Sequence, residues 1–211
     1  MGRESLLNRV RTALGRAVDD PPAPAPPVRI VVPEVEAGER VAKMLAAVEA
    51  LAGKTCRAET PEAARDYVAR AVGGRTAVAS GAPFLRECGI TGLPGVRSGV
   101  TDRAELRQLC ATVGVGITCA DYALADTGTL VLFSSPEEAR MISLLPPAHI
   151  AVVPRGCILT GLDELFALVP LPAERSSSMV LITGPSRTAD IEQILVRGVH
   201  GPGEIHVVVV G

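Results

Sequence analysis

Residues Ile205-His206-Val207-Val208-Val209-Val210 form a run dominated by β-branched apolar side chains. Because apolar and polar residues do not alternate in it, the run predicts a strand buried on both faces of a sheet. Met179–Thr183 has the same character. Strands of this kind are typical of parallel sheets whose two faces are covered by helices. These two stretches therefore predict an α/β fold of three layers around a mostly parallel sheet.

The sequence before these runs alternates between strand and helix patterns. Further strands are predicted at 28–32, 76–79, 128–133 and 150–153. Helices are predicted from apolar residues at helical spacing over 41–51, after the capping residues Thr60 and Asp102, and over 163–169. Ser135-Pro136-Glu137-Glu138 has the residues of an N-cap followed by proline at the first helical position, which predicts a helix that continues to Leu145.

Composition limits the classes of function. The chain has 211 residues, of which 47% are hydrophobic and 21% charged, enough apolar material for one large core. The net charge is −2, aromatic residues are 2% and tryptophan is absent. No basic stretch stands out and no stacking surface is available, so we expect no nucleic-acid partner.

The N-terminal region predicts three consecutive segments. Residues 1–20 have the pattern of an amphipathic helix, residues 21–27 form a proline-rich extended spacer, and residues 28–211 form the α/β domain. No stretch has the composition of a signal peptide or the roughly 18 apolar residues of a membrane span. We therefore expect a soluble, cytoplasmic protein.

The five cysteines are widely separated and no C-x-x-C pair occurs. Metal and iron–sulfur sites need closely spaced thiolates, so the sequence predicts no metal, no cofactor and no cluster bound by this chain. Buried, reduced thiols are expected instead.

Two short motifs resemble known binding sites but lack the surrounding pattern. The stretch 114–119 has two glycines of a dinucleotide fingerprint, but it lacks the third and follows a helix rather than a strand, so we interpret it as a loop. Asp126-Thr127-Gly128 matches the active-site turn of aspartic proteases, which would require a homodimer of an all-β fold. We interpret it as a turn that enters the strand at 128–133.

The segment that begins at Gly184 is the strongest candidate for ligand binding. A strand, a Gly-Pro turn and Ser186 as N-cap predict a helix whose free amides, together with Arg187, hold an anion. Asp190 already places negative charge in that first turn, so helix capping explains the same residues. His200, in a loop of turn-forming residues, is either a proton-transfer group or a turn residue.

Turns after buried strands tend to meet at one edge of a sheet, so we expect these segments to line a common pocket for a small anion. The candidate ligand-binding residues are Thr127, Gly128, Thr129, Gly184, Ser186, Arg187, Asp190 and His200. No catalytic residue is assigned.

An ordered set of short motifs connects the chain to a known family. The motifs are Gly116-Ile117-Thr118, Ala120-Asp121-Tyr122-Ala123-Leu124-Ala125-Asp126-Thr127-Gly128-Thr129, Ser143-Leu144-Leu145-Pro146, His149-Ile150-Ala151-Val152-Val153, Thr183-Gly184-Pro185-Ser186-Arg187-Thr188-Ala189-Asp190-Ile191-Glu192 and Gly198-Val199-His200-Gly201-Pro202. Together they resemble the lactate utilization (LUD) domain family over about 28–211.

The resemblance implies a fold like that of the ribose-5-phosphate isomerase and CoA-transferase group, which includes 5-formyltetrahydrofolate cyclo-ligase. It also implies a part in the oxidation of L-lactate to pyruvate, with two partner proteins that carry the iron–sulfur clusters. A chain without clustered cysteines agrees with a component that carries no cluster. Two other functions stay open: a stand-alone enzyme that binds a phosphate ester, nucleotide or CoA thioester, and a dimeric aspartic protease.

Overall fold

The computed structural model describes residues 2–17, 32–33, 35–189 and 195–211. The spacer at 21–27, most of the strand predicted at 28–32 and Asp190 lie outside the described residues. The chain divides into two units, Met1–Ile30 and Val31–Gly211.

In the first unit, helix α1 (Arg3–Ala13) has no buried residue. In the second unit the helices are α2 (Ala37–Ala50), α3 (Pro61–Val72), α4 (Pro83–Glu87), α5 (Arg103–Thr112), α6 (Met141–Leu144), α7 (Leu162–Leu168) and α8 (Pro172–Arg175). The strands are β1 (Lys54–Ala58), β2 (Ala77–Ala79), β3 (Val96–Arg97), β4 (Val115–Cys119), β5 (Tyr122–Leu124), β6 (Thr129–Phe133), β7 (Ala148–Pro154), β8 (Ile158–Leu159), β9 (Met179–Thr183), β10 (Arg187–Ala189), β11 (Leu195–Arg197) and β12 (Glu204–Val210). No helix among the described residues is both long and apolar enough to cross a membrane.

The main sheet has six strands in the order β1-β12-β7-β4-β2-β3, and every neighbouring pair is parallel. The C-terminal run that predicted a doubly buried strand is β12, which lies between β1 and β7. The predicted α/β class with a mostly parallel sheet is confirmed.

Successive residues of the central strands fill two separate cores. Ile150 and Val152 pack with α3 and α4 on one side of the sheet. Ala151 and Val153 pack on the other side with α2 and residues of a second sheet. Because side chains alternate along a strand, a strand that is apolar at every position stabilises both layers.

The second sheet has four strands in the order β8-β5-β6-β9, and β6 pairs antiparallel with both β5 and β9. We expected Met179–Thr183 to be a doubly buried parallel strand, and this prediction is wrong. The strand lies at the edge of the smaller sheet, and Leu181 is 42% exposed. Its apolar composition therefore indicates a preference for the strand conformation and not burial on both faces of a sheet.

The interpretation of 114–119 as a loop is also wrong, because Val115–Cys119 is the buried strand β4. A β-carbon on Gly116 would overlap the carbonyl oxygen of Ile142 in α6. This glycine therefore allows a helix to pack directly on the sheet, which is a structural role rather than a nucleotide-binding one.

Two predicted helix caps are confirmed. Thr60 Oγ1 accepts a hydrogen bond from the backbone amide of Ala63 at 3.2 Å, and Asp102 Oδ1 accepts one from the amide of Glu105 at 2.8 Å. Both occupy the N-cap of the helix that follows.

The helix predicted from Pro136 to Leu145 is largely wrong, since only Met141–Leu144 is helical. Ser135 Oγ does accept hydrogen bonds from the amides of Glu137 and Glu138, at 3.1 and 3.0 Å. However, the carbonyl of Glu137 accepts from the amide of Gly81 at 2.8 Å. That carbonyl is unavailable to a helix, so the segment is a loop that is bound to the end of β2.

Candidate functional site

The Asp126-Thr127-Gly128 turn joins the antiparallel strands β5 and β6. Gly128 has a φ of +67°, and a β-carbon there would lie 2.9 Å from the amide nitrogen of Val48 in α2. Thr127 Oγ1 and Thr129 Oγ1 are 2.8 Å apart. The interpretation of this motif as a turn is confirmed, and the α/β fold excludes the aspartic-protease architecture.

The segment after β9 does not form the predicted helix. Ser186 donates its backbone amide to the carbonyl of Pro202 at 2.9 Å, and its own carbonyl accepts from the amide of Gly198 at 3.1 Å. The chain continues as β10, which pairs antiparallel with β11. Because Ser186 is bonded to Pro202 and Gly198 and the next residues form the strand β10, Ser186 does not begin the predicted helix.

Arg187 has a partner within the protein. Its guanidinium Nη2 donates to the carbonyl oxygen of Leu51, at the C-terminal end of α2. A cation at this end of a helix interacts favourably with its unsatisfied carbonyls. Helix capping thus accounts for the position of Arg187.

The remaining candidate residues lie near one another. Thr129 Oγ1 and Thr183 Oγ1 are 2.8 Å apart, which brings the turn at Gly128 beside Gly184. A β-carbon on Gly184 would lie 2.9 Å from Leu51 Cβ, and one on Gly201 would lie 3.4 Å from Ser186 Cβ. His200, in that last loop, is exposed. The predicted segments gather beside the end of α2, and their role in binding an anion stays a prediction.

A cleft of about 460 Å³ lies instead at the carboxyl end of the main sheet, beyond the ends of β2 and β4. We call it the central cleft. It is lined by Ala82, Pro83, Phe84, Arg86, Cys119, Ala120, Asp121, Phe133, Ser134, Ser135, Glu137, Glu138 and Arg175. In this sheet β2 and β4 are neighbours. The strand that follows β2 along the chain, β3, lies on the far side of β2, and the next strand of the sheet after β4, which is β7, lies on the far side of β4. Ligands of open α/β sheets bind where the strand order reverses in this way.

Glu138 is the most unusual group in the central cleft. Its side chain is 8% exposed, and Oε2 accepts a hydrogen bond from the amide of Cys119 at 3.3 Å. Neither Oε1 nor the buried hydroxyl of Ser80 has a partner at hydrogen-bonding distance and angle among the described residues, although Ser80 is near enough to Glu138 to influence its ionisation. Native proteins contain few such buried, unpartnered polar atoms, and they tend to have a functional explanation.

Burial raises the pKa of Glu138 to about 8, although the Ser80 hydroxyl and the Cys119 amide act in the opposite direction. At neutral pH the side chain is therefore largely a neutral carboxylic acid, which can donate a hydrogen bond as well as accept one. Perturbed acids of this kind, placed in a cleft, are typical of functional sites.

Cys119 does not provide a nucleophile. Burial, reinforced by the nearby acidic groups, raises the pKa of its thiol to about 12. Since the thiolate is the reactive form, this thiol is inert at neutral pH. The expectation of buried thiols holds for Cys88 and Cys110, whereas Cys56, Cys119 and Cys157 are partly buried.

An ion pair lines another part of the cleft. Arg175 donates from Nη2 to Asp121 Oδ1 at 2.8 Å, and its guanidinium carbon lies 4.3 Å from the centre of the Phe133 ring. Asp121 Oδ2 accepts from the amide of Phe133 at 2.8 Å. Arg86 supplies a second cation, held by a 2.6 Å hydrogen bond from Nη1 to the carbonyl of Gly81. The cleft thus combines the neutral acid Glu138 with the guanidinium groups of Arg86 and Arg175 and the side chains of Asp121 and Glu137.

The segments predicted from the sequence gather beside the C-terminal end of α2, whereas the central cleft lies at the carboxyl end of the main sheet and is lined by other residues. Glu138 was assigned to a helix N-terminus because Ser135-Pro136-Glu137-Glu138 has capping composition. The available signal is that Asp121 and Ser135 each lie two residues after the end of a strand, where ligand-binding loops occur. Among the described residues, no group of three or more His, Cys, Asp or Glu side chains could hold a metal ion.

A family model described as the LUD domain matches residues 41–210. A protein named lactate utilization protein C from Halalkalibacterium halodurans is 35% identical over 157 residues, which cover 71% of this chain and 68% of that one. Its namesake from Bacillus subtilis strain 168 is 44% identical over 92 residues, covering 42% of this chain and 38% of that one. The match to the Bacillus licheniformis protein of the same name, 38% identical, spans less than half of either chain.

Among solved structures, a DUF162 family protein from Deinococcus radiodurans matches with a TM-score of 0.62 at 19% identity. The match covers 84% of this chain and 100% of that one. At this level of identity the likeness concerns the fold.

Proposed function

Because the chain belongs to the LUD domain family, we propose that it is a component of an L-lactate utilization system in which lactate is oxidised to pyruvate. The names of the relatives from Halalkalibacterium halodurans and Bacillus subtilis support a part in lactate utilization. In this proposal the chain is the component without an iron–sulfur cluster. The clusters reside on two partner proteins, and the system works in the cytoplasm.

One observation carries the assignment of a site: the buried Glu138 lines the central cleft, and its Oε1 has no partner in the described ranges of the chain. Lactate and pyruvate are small carboxylates with a second oxygen on the adjacent carbon. Arg86 supplies positive charge for the carboxylate, since Arg175 is already paired with Asp121, and the neutral carboxyl of Glu138 donates a hydrogen bond to a ligand oxygen. The chain holds the organic acid, and its partners accept the electrons.

The volume of the cleft favours a second candidate function. At about 460 Å³ it falls in the range of sites for whole cofactors, and a three-carbon acid occupies only part of it. A stand-alone enzyme acting on a phosphate ester, nucleotide or CoA thioester would use more of this space.

The test is calorimetric titration of the full chain with pyruvate and with L-lactate between pH 6 and pH 9. We expect affinity to fall as pH rises through about 8, because ionised Glu138 repels the ligand carboxylate. Glu138→Gln keeps a hydrogen-bond donor but cannot ionise, so its affinity should not change over this range.

Glu87→Gln is the matched control, since Glu87 is an exposed residue of α4. It should retain the wild-type pH profile. The assignment fails if neither acid binds at millimolar concentration, or if the wild type and Glu138→Gln have the same profile. Binding of ADP or of coenzyme A that Glu138→Gln weakens, without binding of either acid, would favour the second function.

A further inference from the structure

A second concave surface, of about 500 Å³, lies beyond the loop that carries Glu138. We call it the arginine cleft. It is lined by Arg103, Arg107, Ser134, Ala139, Arg140, Met141, Leu145, Ser177 and Ser178. The loop of residues 134–140 lines both clefts, with Glu138 in the central cleft and Arg140 in the arginine cleft.

Three positive charges face this surface without compensation. Within the part of the chain that the structure describes, Arg103, Arg107 and Arg140 form no ion pair and no side-chain hydrogen bond. Glu105, which lies between the first two on α5, is paired with Arg97 at 2.7 Å. Arg103 and Arg107 are four residues apart on one helix, a spacing at which like charges are destabilising.

Apolar side chains also line the arginine cleft. Met141 and Leu145 line it together with Ala139, and Leu145 is 51% exposed. A large exposed apolar side chain beside three unpaired guanidinium groups has no evident value for folding. The hydroxyls of Ser134, Ser177 and Ser178 add neutral hydrogen-bond donors to the same surface.

We propose that the arginine cleft binds a small molecule that carries a diphosphate on an apolar body, as a nucleoside diphosphate does. Guanidinium groups bind phosphate oxygens in a bidentate manner, and three of them match an anion with two or more negative charges. The apolar body covers Leu145 and Met141. A concave site of this volume suits a small molecule rather than a flat macromolecular surface. The proposal is independent of whether the central cleft binds lactate.

Calorimetric titration of the full chain with ADP, pyrophosphate and sulfate at low ionic strength tests it. We expect ADP to bind more tightly than pyrophosphate, and pyrophosphate more tightly than sulfate. Arg107→Gln and Arg140→Gln should each weaken ADP binding by at least about tenfold, as expected for the loss of a charge-assisted hydrogen bond. Leu145→Ser should weaken binding of ADP while leaving pyrophosphate unchanged.

Arg70→Gln is the matched control, since Arg70 is an exposed arginine in the last turn of α3. It should leave all three affinities unchanged. The proposal is overturned if ADP and pyrophosphate do not bind at millimolar concentration, if sulfate binds as tightly as pyrophosphate, or if Arg70→Gln has the effect of Arg107→Gln. Arg70, Arg107 and Arg140 are exposed, so the thermal transitions of the three arginine variants should match that of the wild type.

Discussion

At the scale of single residues, burial of the Glu138 carboxyl is unfavourable for folding but leaves a polar group available to a ligand. A carboxyl group removed from water is stable only in its neutral form unless a cation or several hydrogen bonds compensate it. The structure supplies one amide, from Cys119, and leaves Oε1 without a partner among the described residues. A ligand bound in the central cleft would complete the hydrogen bonding of Glu138 Oε1.

This position predicts a pH dependence of stability. The pKa of Glu138 is raised from 4.5 to about 8 in the folded state, so the folded protein binds this proton more tightly than the unfolded chain. The contribution is fully present below pH 4.5 and is lost as pH rises through about 8. Relative to Glu138→Gln, the wild-type free energy of unfolding should fall by roughly 2–5 kcal/mol between pH 4.5 and pH 9.

Urea unfolding of both proteins at several pH values provides the measurement. Glu87→Gln serves again as the control and should follow the wild type. Parallel stability profiles for wild type and Glu138→Gln would show that the carboxyl is solvated and ionises normally.

At the scale of elements, close approach between β4 and α6 shapes the centre of the fold. Gly116 lies on a strand that is bonded on both sides, to β2 and to β7, so the strand cannot move away from the helix. The carbonyl of Ile142 and the ring of Pro146 occupy the space of a side chain at this position.

Gly116→Ala should therefore destabilise the protein by about 3 kcal/mol, at the upper end of overpacking effects, because the obstacle is backbone. Chemical denaturation would measure the change. Gly38→Ala is the control: it lies in α2 with open space around its β-position, and alanine should be neutral or slightly stabilising there. Equal stability of the two variants would mean that α6 shifts freely.

A hydrogen-bonded network joins α3 to β12 at the other end of the sheet. Tyr67 OH and His206 Nδ1 are 2.9 Å apart, and His206 Nε2 lies 2.7 Å from Glu204 Oε1. Hydrogen bonds from His206 and Lys54, with the charge of Arg75 nearby, lower the pKa of Glu204 to about 2. Its contribution to stability is present above its ordinary pKa and is lost as pH falls toward 2. This network accounts for a histidine inside an otherwise apolar strand.

At the scale of the whole molecule, the chain divides into two units after Ile30, and the separability of the N-terminal segment is a prediction. No residue of α1 is buried, whereas Val41, Met44 and Val48 of α2 are. A chain that begins at Pro27 should therefore keep the thermal transition of the full chain within a few degrees.

Differential scanning calorimetry of the shortened chain measures this. A chain that begins at Leu51 lacks α2 and should lose its cooperative transition, because the buried face of the main sheet is then exposed to water. A large fall in the transition temperature of the chain that begins at Pro27 would show that the first 26 residues stabilise the α/β unit.

Local sequence determined several features of this protein correctly. Ile150–Val153 in β7 is apolar at every position, and Ile205–Val210 in β12 is apolar except at His206, while the caps at Thr60 and Asp102 depend on hydrogen bonds within three residues. The parallel class followed from these runs, because only a sheet covered on both faces can bury them. Such signals are read along the chain and require no knowledge of distant contacts.

Tertiary structure alone decided the rest. Ser186 has the composition of a cap, but hydrogen bonds to the distant Pro202 and Gly198 place it before a strand. Gly116 belongs to a strand because β2 and β7 pair with it on both sides, and the 135–138 segment is a loop in which Gly81 binds the carbonyl of Glu137. In each case a contact between residues far apart in sequence outweighs a local preference of about 1 kcal/mol. The central cleft exists only because such contacts bring the loops after β2, β4 and β6 together.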